Sequence, residues 1–385
     1  MIYADYNGSA PLLPSVRAYL HGRIDSDLFA NPNAIHSMGQ KLSGGIEKCR
    51  RVVAEVLGCY PDQVFFNSGA SEGISTIIHS VLDGAPAEKT VVITSPIEHP
   101  VVPSALAYYQ KKKNLRIETV EIDAAGRIKL ESFERLLRAH AGTVALVAIM
   151  AANNETGVLQ PYKEIAALCR RNQAEFFCDT TQLLTKGEFH FEDSGVDYAV
   201  CSGHKLGALS GTGFLIARDP QRLVPLVFGS SQERGLRGGT QHYLGVETLA
   251  IALKDFDQNK GKLAELKKAR LEFERELKAR FPELVIIGED ADRLSGTTLV
   301  SYPGLHGQAV QIELESQNIF VTTSAACTDN QPETSKVLKA MGIGDDVGRG
   351  VVRISLSYSH GKTEYSAMAE ALKAAYTKLT RIKSY

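Results

Sequence analysis

The sequence predicts an α/β fold in which a mainly parallel sheet is flanked by helices, followed by a smaller α+β module. Two observations lead to this fold class. Short runs of uninterrupted apolar residues recur between residues 64 and 217, and helical patterns separate several of them. Such runs, in contrast to strict alternation of apolar and polar residues, are typical of strands buried on both faces of a parallel sheet.

The elements follow in chain order. Apolar residues at helical spacing, from Leu42 to Val56, predict a first helix. Strands are predicted over six apolar runs, at 64–66, 90–94, 144–150, 174–178, 198–201 and 213–217. Helices are predicted over 100–111, 131–139 and 160–172, and a long helical pattern then runs from Leu244 to Leu277.

The C-terminal part shows a different pattern. It predicts strands at 296–302 and 351–357, with helices near 307–317, 333–341 and 363–381. Because this is an α+β pattern, we place a domain boundary within the long helix near residue 255. The expected domains are a large one over 12–255 and a small one made of 1–11 and 256–385.

The composition excludes several function classes. The 385 residues carry 43 Lys and Arg against 44 Asp and Glu, and a formal net charge of −1 gives no electrostatic footprint for nucleic acid or an anionic membrane. No apolar run approaches the ~20 residues of a membrane span, and the first residues lack the layout of a signal peptide. The six cysteines form no C-x-x-C pair. We therefore expect a cytoplasmic protein that binds no nucleic acid, membrane or metal.

The common nucleotide-binding motifs are absent from the sequence. No G-x-G-x-x-G follows the first strand. The nearest approach to a P-loop, Gly361-Lys362-Thr363, has Leu356 where the first glycine should stand. The sequence therefore disfavours an enzyme that binds a dinucleotide or a nucleoside triphosphate.

Three other segments carry candidate chemistry, and each has an ordinary structural alternative. In 66–73, a strand ends in a small-residue turn that opens a helix, which suits a phosphate, although Ser71 could simply cap that helix. Asp179 ends an apolar strand where open α/β sheets bind ligands, although it could equally cap a helix. Lys205 follows a strand between glycine-containing turns, as a candidate amine nucleophile or an ordinary surface lysine.

Together the three segments match the needs of pyridoxal phosphate (PLP), which takes a phosphate cradle, a lysine and an acid for its pyridinium nitrogen. The chain resembles the class V aminotransferase family and, within it, the cysteine desulfurases that serve iron–sulfur assembly and tRNA thiolation. The resemblance implies a fold-type I PLP enzyme. It runs nearly end to end, through ADYNGSAP (4–11), NPNAIHSMG (31–39), NSGASEG (67–73), IEHPVV (97–102), NNETGVLQP (153–161), CDTTQ (178–182), SGHK (202–205), RGGTQ (237–241), TTSAACT (322–328) and VRISLS (352–357).

The resemblance implies roles for the residues that would face the cofactor ring. Lys205 would bind PLP covalently and shuttle protons, and Asp179 would pair with the pyridine nitrogen. His99 would stack on the ring and assist proton transfer. Asn154 and Gln182 would face the phenolic oxygen of the ring.

The resemblance also implies a phosphate site and an assembly. The phosphate would be bound by Ser71, Ser202 and His204, with Thr240 reaching over from a second subunit, and Ala70 would also bind the cofactor. Because the family forms its site at a dimer interface, the resemblance implies a homodimer.

On the substrate side, the resemblance implies that Arg353 and Asn154 bind L-cysteine, with Arg353 clamping its α-carboxylate. Cys327 would attack the sulfur of the bound cysteine, take it as a persulfide with release of L-alanine, and pass it to an acceptor protein. The chain departs from the family at Gly8-Ser9-Ala10, where relatives usually read A-A-T-T. This difference predicts an altered substrate side of the pocket.

Two alternatives stand beside a cysteine desulfurase. Another class V enzyme, either an aminotransferase or a selenocysteine or cysteine-sulfinate lyase, would have no need of Cys327. A sulfur-relay or scaffold partner would keep the fold for binding alone. The presence of Lys205, Asp179, His99, Arg353 and Cys327 together argues against that second alternative.

Overall fold

A computed structural model describes residues 1–323 and 333–383 of the chain, with side chains as far as residue 381. Its strands are β1 (Ile2–Tyr3), β2 (Val64–Asn67), β3 (Val91–Thr94), β4 (Arg116–Thr119), β5 (Val144–Met150), β6 (Glu175–Asp179), β7 (Tyr198–Ser202), β8 (Gly213–Ala217), β9 (Val285–Ile286), β10 (Thr297–Ser301), β11 (Ile319–Phe320) and β12 (Val351–Ser355). Its helices are α1 (Pro14–Ile24), α2 (Ser37–Leu57), α3 (Ala70–Asp83), α4 (Val101–Lys113), α5 (Leu130–Ala139), α6 (Tyr162–Arg171), α7 (Phe191–Ser194), α8 (Gly203–Leu206), α9 (Tyr243–Asn259), α10 (Lys262–Arg280), α11 (Gly307–Glu315), α12 (Lys336–Ala340), α13 (Asp345–Gly348) and α14 (Lys362–Lys383).

The largest sheet has seven strands in the order β2-β8-β7-β6-β5-β3-β4. Neighbouring strands run parallel from β7 to β4, whereas β8 is antiparallel to both of its neighbours. The six predicted strands of this region are therefore confirmed as β2, β3, β5, β6, β7 and β8. The edge strand β4 was missed because its sequence, Arg-Ile-Glu-Thr, has only one apolar residue and lies half exposed.

The uninterrupted apolar runs are explained by two hydrophobic cores, one on each face of this sheet. Side chains alternate between faces along a strand. In β6, Phe176 belongs to the core on one face and Phe177 to the core on the other, and both are fully buried. A strand with a core on each side needs apolar residues at every position.

The predicted long helix is wrong as a single element, because it is two helices, α9 and α10. The break falls at Lys260 and Gly261, where Gly261 and the preceding Asn259 have low helix propensity. Leu249 and Leu253 of α9 pack into a core of the large sheet. Leu266 and Phe273 of α10 pack into another core, together with residues of α14. The domain boundary near residue 255 stays a prediction.

The C-terminal part contains an antiparallel sheet in the order β12-β10-β9, and α10, α11 and α14 pack with it around their own core. The N-terminal segment contacts both parts of the chain. Its β1 pairs in parallel with β11, and the Ala10 N–H donates to the His204 carbonyl at 2.7 Å. Within the described ranges, no helix is both long and apolar enough to cross a membrane.

Candidate active site

The candidate site is a cavity of about 500 Å³ at the carboxyl ends of the parallel strands. Loops after β3, β5, β6 and β7 meet there because parallel strands end at the same edge of a sheet. The structure brings ten of the predicted site residues to its wall: Ala70, Ser71, His99, Asn154, Asp179, Gln182, Ser202, His204, Lys205 and Arg353. Their individual roles stay predictions.

Lys205 lies on the short helix α8, directly after β7. Its Nζ donates to the carbonyls of Asn7 at 2.7 Å and Gly8 at 2.5 Å. Burial and the neighbouring Arg353 lower the pKa of Lys205 to about 8, while Asp5 and Asp179 act in the opposite direction. A sizeable fraction of this amine is therefore neutral near physiological pH, which is the form that attacks a carbonyl.

Asp179 and His99 form the next part of the wall. Asp179, the last residue of β6, is 6% exposed, and its Oδ1 accepts from the Thr181 N–H at 2.9 Å. His99 precedes α4, and its Nδ1 accepts from the Val101 N–H at 3.3 Å. Burial lowers the pKa of His99, and Asp179 opposes that shift. The neutral ring then carries its proton on Nε2, where it can stack on or donate to a ligand.

Behind His99 lies a buried carboxylic acid. Glu98 Oε1 accepts from the Ser95 hydroxyl at 2.5 Å and from the Met150 N–H at 3.0 Å. Its Oε2 is buried without a partner in the described part of the chain. Burial, with a contribution from Asp179, raises the pKa of Glu98 to about 8. Glu98 is therefore largely protonated at neutral pH, and it adds no full negative charge beside Asp179.

The start of α3 forms one end of the cavity, where the phosphate site is predicted. Gly69, the residue before the helix, provides no side chain to cap it, and its φ of 148° lies in a region that favours glycine. A Cβ on Gly69 would also stand 3.2 Å from Ser202 Oγ. His204 lines the same cavity as this uncapped helix start, and its Nδ1 is 3.2 Å from Ser9 Oγ. Free N–H groups and the helix dipole make this end suitable for an anion.

Arg353, on β12, forms the opposite wall. Its Nη2 donates to Asp5 Oδ1 at 2.7 Å and its Nη1 to the Asn154 carbonyl at 2.9 Å. Its Nε is buried and has no partner within the described ranges. The guanidinium therefore keeps a donor for a further acceptor such as a carboxylate.

Gln182 lies between Lys205 and the protein interior. Its Nε2 donates to the Asn7 carbonyl at 2.9 Å, and its Oε1 accepts from Lys186 Nζ at 2.6 Å. Asn7, 1% exposed, is fixed in turn by the Ser355 and Thr297 hydroxyls. These contacts join the N-terminal segment to the floor of the cavity.

One predicted residue of the described ranges lies elsewhere. Thr240 is exposed and does not line the cavity of its own chain. Its loop is anchored by Arg237, whose guanidinium bonds Glu72 of α3 at 3.0 Å, and by buried Glu233, which bonds Arg50 at 2.8 Å. Cys327 lies outside the described residues.

The residues present fit PLP. The helix start at α3 suits its phosphate, and the lowered pKa of Lys205 suits covalent attachment. Thr181 Oγ1, a buried hydroxyl at the cavity wall, has no partner in the described part of the chain. Among the same residues, no group of three or more His, Cys, Asp and Glu side chains could hold a metal ion.

Sequence reasoning missed three groups at this site: the Asn7 carbonyl, Lys186 and Glu98. Asn7 acts through its backbone carbonyl, a group that every residue has and that the sequence therefore does not single out. Lys186 stands seven residues after Asp179, in a stretch that reads as an ordinary turn. Glu98 precedes the predicted His99, and its burial was the only signal that could have singled it out.

The aminotransferase class V family matches residues 2–367. Cysteine desulfurase 2 of Trichormus variabilis is 30% identical over 396 residues, covering 100% of this chain and 95% of that protein. The cysteine desulfurase of Enterobacter agglomerans is 30% identical over 385 residues, covering 100% of this chain and 94% of that protein.

The chain is also similar to solved structures. A NifS-like protein has a TM-score of 0.90 at 30% identity, over 98% of this chain and 100% of that one. SspA in complex with cysteine has a TM-score of 0.79 at 28% identity, over 93% of this chain and 99% of that one. The predicted fold class and the resemblance are thus confirmed, and the chain belongs to the class V aminotransferase family.

Proposed function

We propose that the protein is a PLP-dependent L-cysteine desulfurase that transfers sulfur to Cys327 and releases L-alanine. The observation that carries the proposal is the meeting of Lys205, Asp179 and Arg353 in one cavity. Its full-length relatives named cysteine desulfurase favour this reaction over that of another class V enzyme.

When bound, PLP would withdraw electrons from the carbon atoms of the substrate. The protein's own groups supply the rest. Asp179 would hold a proton on the pyridine nitrogen, and the neutral amine of Lys205 would accept and return a proton at the substrate α-carbon. His99, with its proton on Nε2, would stack on the ring. Arg353 Nε and Nη2 would bind the α-carboxylate, and Arg could do this better than Lys because its donors form a planar fork.

Sulfur transfer needs no external oxidant. The Cys327 thiolate would form an S–S bond with the substrate sulfur while the Cβ–S bond breaks. The electron pair of that bond stays with the three-carbon fragment, which takes up a proton and leaves as L-alanine. Cys327 would carry the persulfide to an acceptor protein of an iron–sulfur or tRNA-thiolation pathway.

We also propose a homodimer in which Thr240 completes the phosphate site of the partner subunit. Thr240 lies on an exposed segment in which the Gly238 N–H donates to the Val227 carbonyl at 2.9 Å. Phe228, on the same segment, is 81% exposed. Val224, Leu226 and Val227 are exposed as well, and a continuous exposed apolar patch beside a predicted binding residue favours an interface there. Sedimentation of Phe228→Asp, with Ile312→Asp at another exposed site as control, should give a monomer only for the first variant.

The activity is tested by incubating the purified protein with PLP, L-cysteine and a dithiol that reduces the persulfide and releases its outer sulfur as sulfide, and measuring sulfide and alanine together. Equal amounts of both products support a desulfurase. Lys205→Ala should abolish the borohydride-stable label on residue 205 as well as both products. Amino transfer to pyruvate without sulfide would instead identify an aminotransferase, and neither activity in a protein that binds PLP would favour the relay or scaffold alternative.

A further inference from the structure

Lys186 is a buried amine that the proposed reaction does not use. It is 7% exposed, and its Nζ makes one hydrogen bond within residues 1–323 and 333–383, to Gln182 Oε1 at 2.6 Å. No carboxylate pairs with it in these ranges. Burial, with Lys205 and Arg353 nearby, holds the pKa of Lys186 well below its usual range, while Asp5 and Cys201 act in the opposite direction. Burying such an amine is costly, so its position calls for an explanation.

Lys186 and Asn7 bind opposite ends of the Gln182 carboxamide. The two ends of an amide are nearly identical in shape, so only their partners decide which one faces which way. The Asn7 carbonyl can only accept, and it takes one N–H of Gln182 Nε2 at 2.9 Å. Lys186 donates to the amide oxygen from the other side. The amide nitrogen has a second N–H, and Gln182 lines the cavity.

The same contacts lead to the reactive amine. The Asn7 carbonyl that accepts from Gln182 also accepts from Lys205 Nζ at 2.7 Å. A continuous chain of polar groups therefore runs from Lys186 through Gln182 and the Asn7 carbonyl to Lys205. A change at its buried end can reach the cavity without any direct contact between Lys186 and a ligand.

We propose that Lys186 is a positioning residue, which binds the oxygen of Gln182 and thereby keeps the N–H2 end of that amide toward the cavity, as a donor for the phenolic oxygen of PLP. The inference rests on the proposed use of PLP. It predicts that Lys186 acts on the cavity only through Gln182. A purely structural lysine would change stability and leave the acid–base behaviour of the site as it is.

The proposal predicts the direction of a spectroscopic change. A donor facing the phenolic oxygen stabilises negative charge there, which favours loss of the proton that this oxygen shares with the neighbouring lysine nitrogen. Removing the donor therefore raises the pH midpoint at which the visible absorbance of the PLP-loaded protein changes. A hydrogen bond to a charged oxygen corresponds to a shift of about one pH unit.

The test is a pH titration of visible absorbance for the PLP-loaded wild type, Lys186→Met, Gln182→Ala and the double variant, with thermal unfolding recorded for each. Both single variants should raise the midpoint by about one unit, and the double variant should match Gln182→Ala. The midpoint of Lys186→Gln, whose amide can donate or accept, should lie between those of the wild type and Lys186→Met. This variant replaces Lys186→Met in the test if the Met variant fails to fold.

The outcomes separate this inference from the proposed function. A wild type that takes up no PLP overturns the proposed function. A wild type that binds PLP, with an unchanged midpoint in the folded Lys186 variants, overturns the inference alone. The inference is also overturned if adding Lys186→Met to Gln182→Ala raises the midpoint by as much as Lys186→Met does alone.

Discussion

Asp5 and Arg353 stand 348 positions apart in the chain and form an ion pair of 2.7 Å at the wall of the cavity. Gly8 makes this pair possible, because a Cβ at that position would lie 2.3 Å from Asp5 Oδ2. The predicted departure from the family at Gly8-Ser9-Ala10 therefore lies against Asp5, the residue that holds Arg353.

Gly8→Ala should displace Asp5 and release Arg353 from its fixed orientation. Because one charge-assisted contact contributes about 1.4 kcal/mol, we expect the KM for L-cysteine to rise roughly tenfold. Cysteamine, which lacks the carboxylate, should bind as before, as judged by titration of visible absorbance. Gly22→Ala is the matched control, since nothing lies within 4 Å of a Cβ there. An equal loss for cysteamine would contradict the role given to Arg353.

Cys327→Ser should keep PLP and bind L-cysteine, because the cavity residues are unchanged, but it should release almost no sulfide. A hydroxyl is a far weaker nucleophile toward sulfur than a thiolate. Cys49→Ser and Cys59→Ser are the controls. Burial raises the pKa of Cys49 to about 11 and that of Cys59 to about 12, so both stay as unreactive thiols. Normal sulfide release by Cys327→Ser would exclude it as the sulfur carrier.

Glu98→Gln should change how stability depends on pH. The pKa of Glu98 in the folded protein is about 8, above the value of roughly 4.3 in an unfolded chain. Between these values only the folded state binds the proton, so the contribution of Glu98 to stability falls as pH rises. Glutamine loses no proton and can still accept from Ser95 and Met150. The melting temperature of the variant relative to wild type should therefore rise from about pH 5 to about pH 8. A constant difference across this range would show that Glu98 is ionised throughout.

Arg50→Met should destabilise the protein strongly, by about 3–5 kcal/mol, because it leaves the Glu233 carboxylate buried without its counter-ion. Arg50 is 2% and Glu233 3% exposed. Denaturant unfolding measures the loss, with Lys260→Met as control, since its pair with Asp257 lies on the surface. The PLP affinity should fall too, because Glu233 also anchors the loop that carries Thr240. A small loss equal to that of the control would show that Glu233 finds other partners.

The strands were predictable from sequence because a strand with a core on each side leaves a continuous apolar run, as Phe176 and Phe177 show. The split between α9 and α10 was not predictable, because the helical spacing of apolar residues continues across Gly261. Only the core against which these residues pack changes there. At the site, side-chain chemistry predicted Lys205 and Asp179 and the family resemblance predicted Arg353, and all three line the cavity. The Asn7 carbonyl, the burial of Lys186 and the protonation of Glu98 arise from tertiary contacts, which no local pattern encodes.

The pairing of β1 with β11 has a consequence for folding during synthesis on the ribosome. Ile2 is synthesised long before its partner Ile319, and Asn7 long before the Ser355 hydroxyl that binds its N–H at 2.9 Å. The N-terminal segment therefore cannot form these contacts until its distant partners have been synthesised. Contacts between residues so far apart in sequence slow folding. Until it docks, Lys205 lacks the Asn7 and Gly8 carbonyls and the neighbouring Arg353. The reactive amine therefore reaches its final surroundings only after Arg353 and Ser355 have been synthesised.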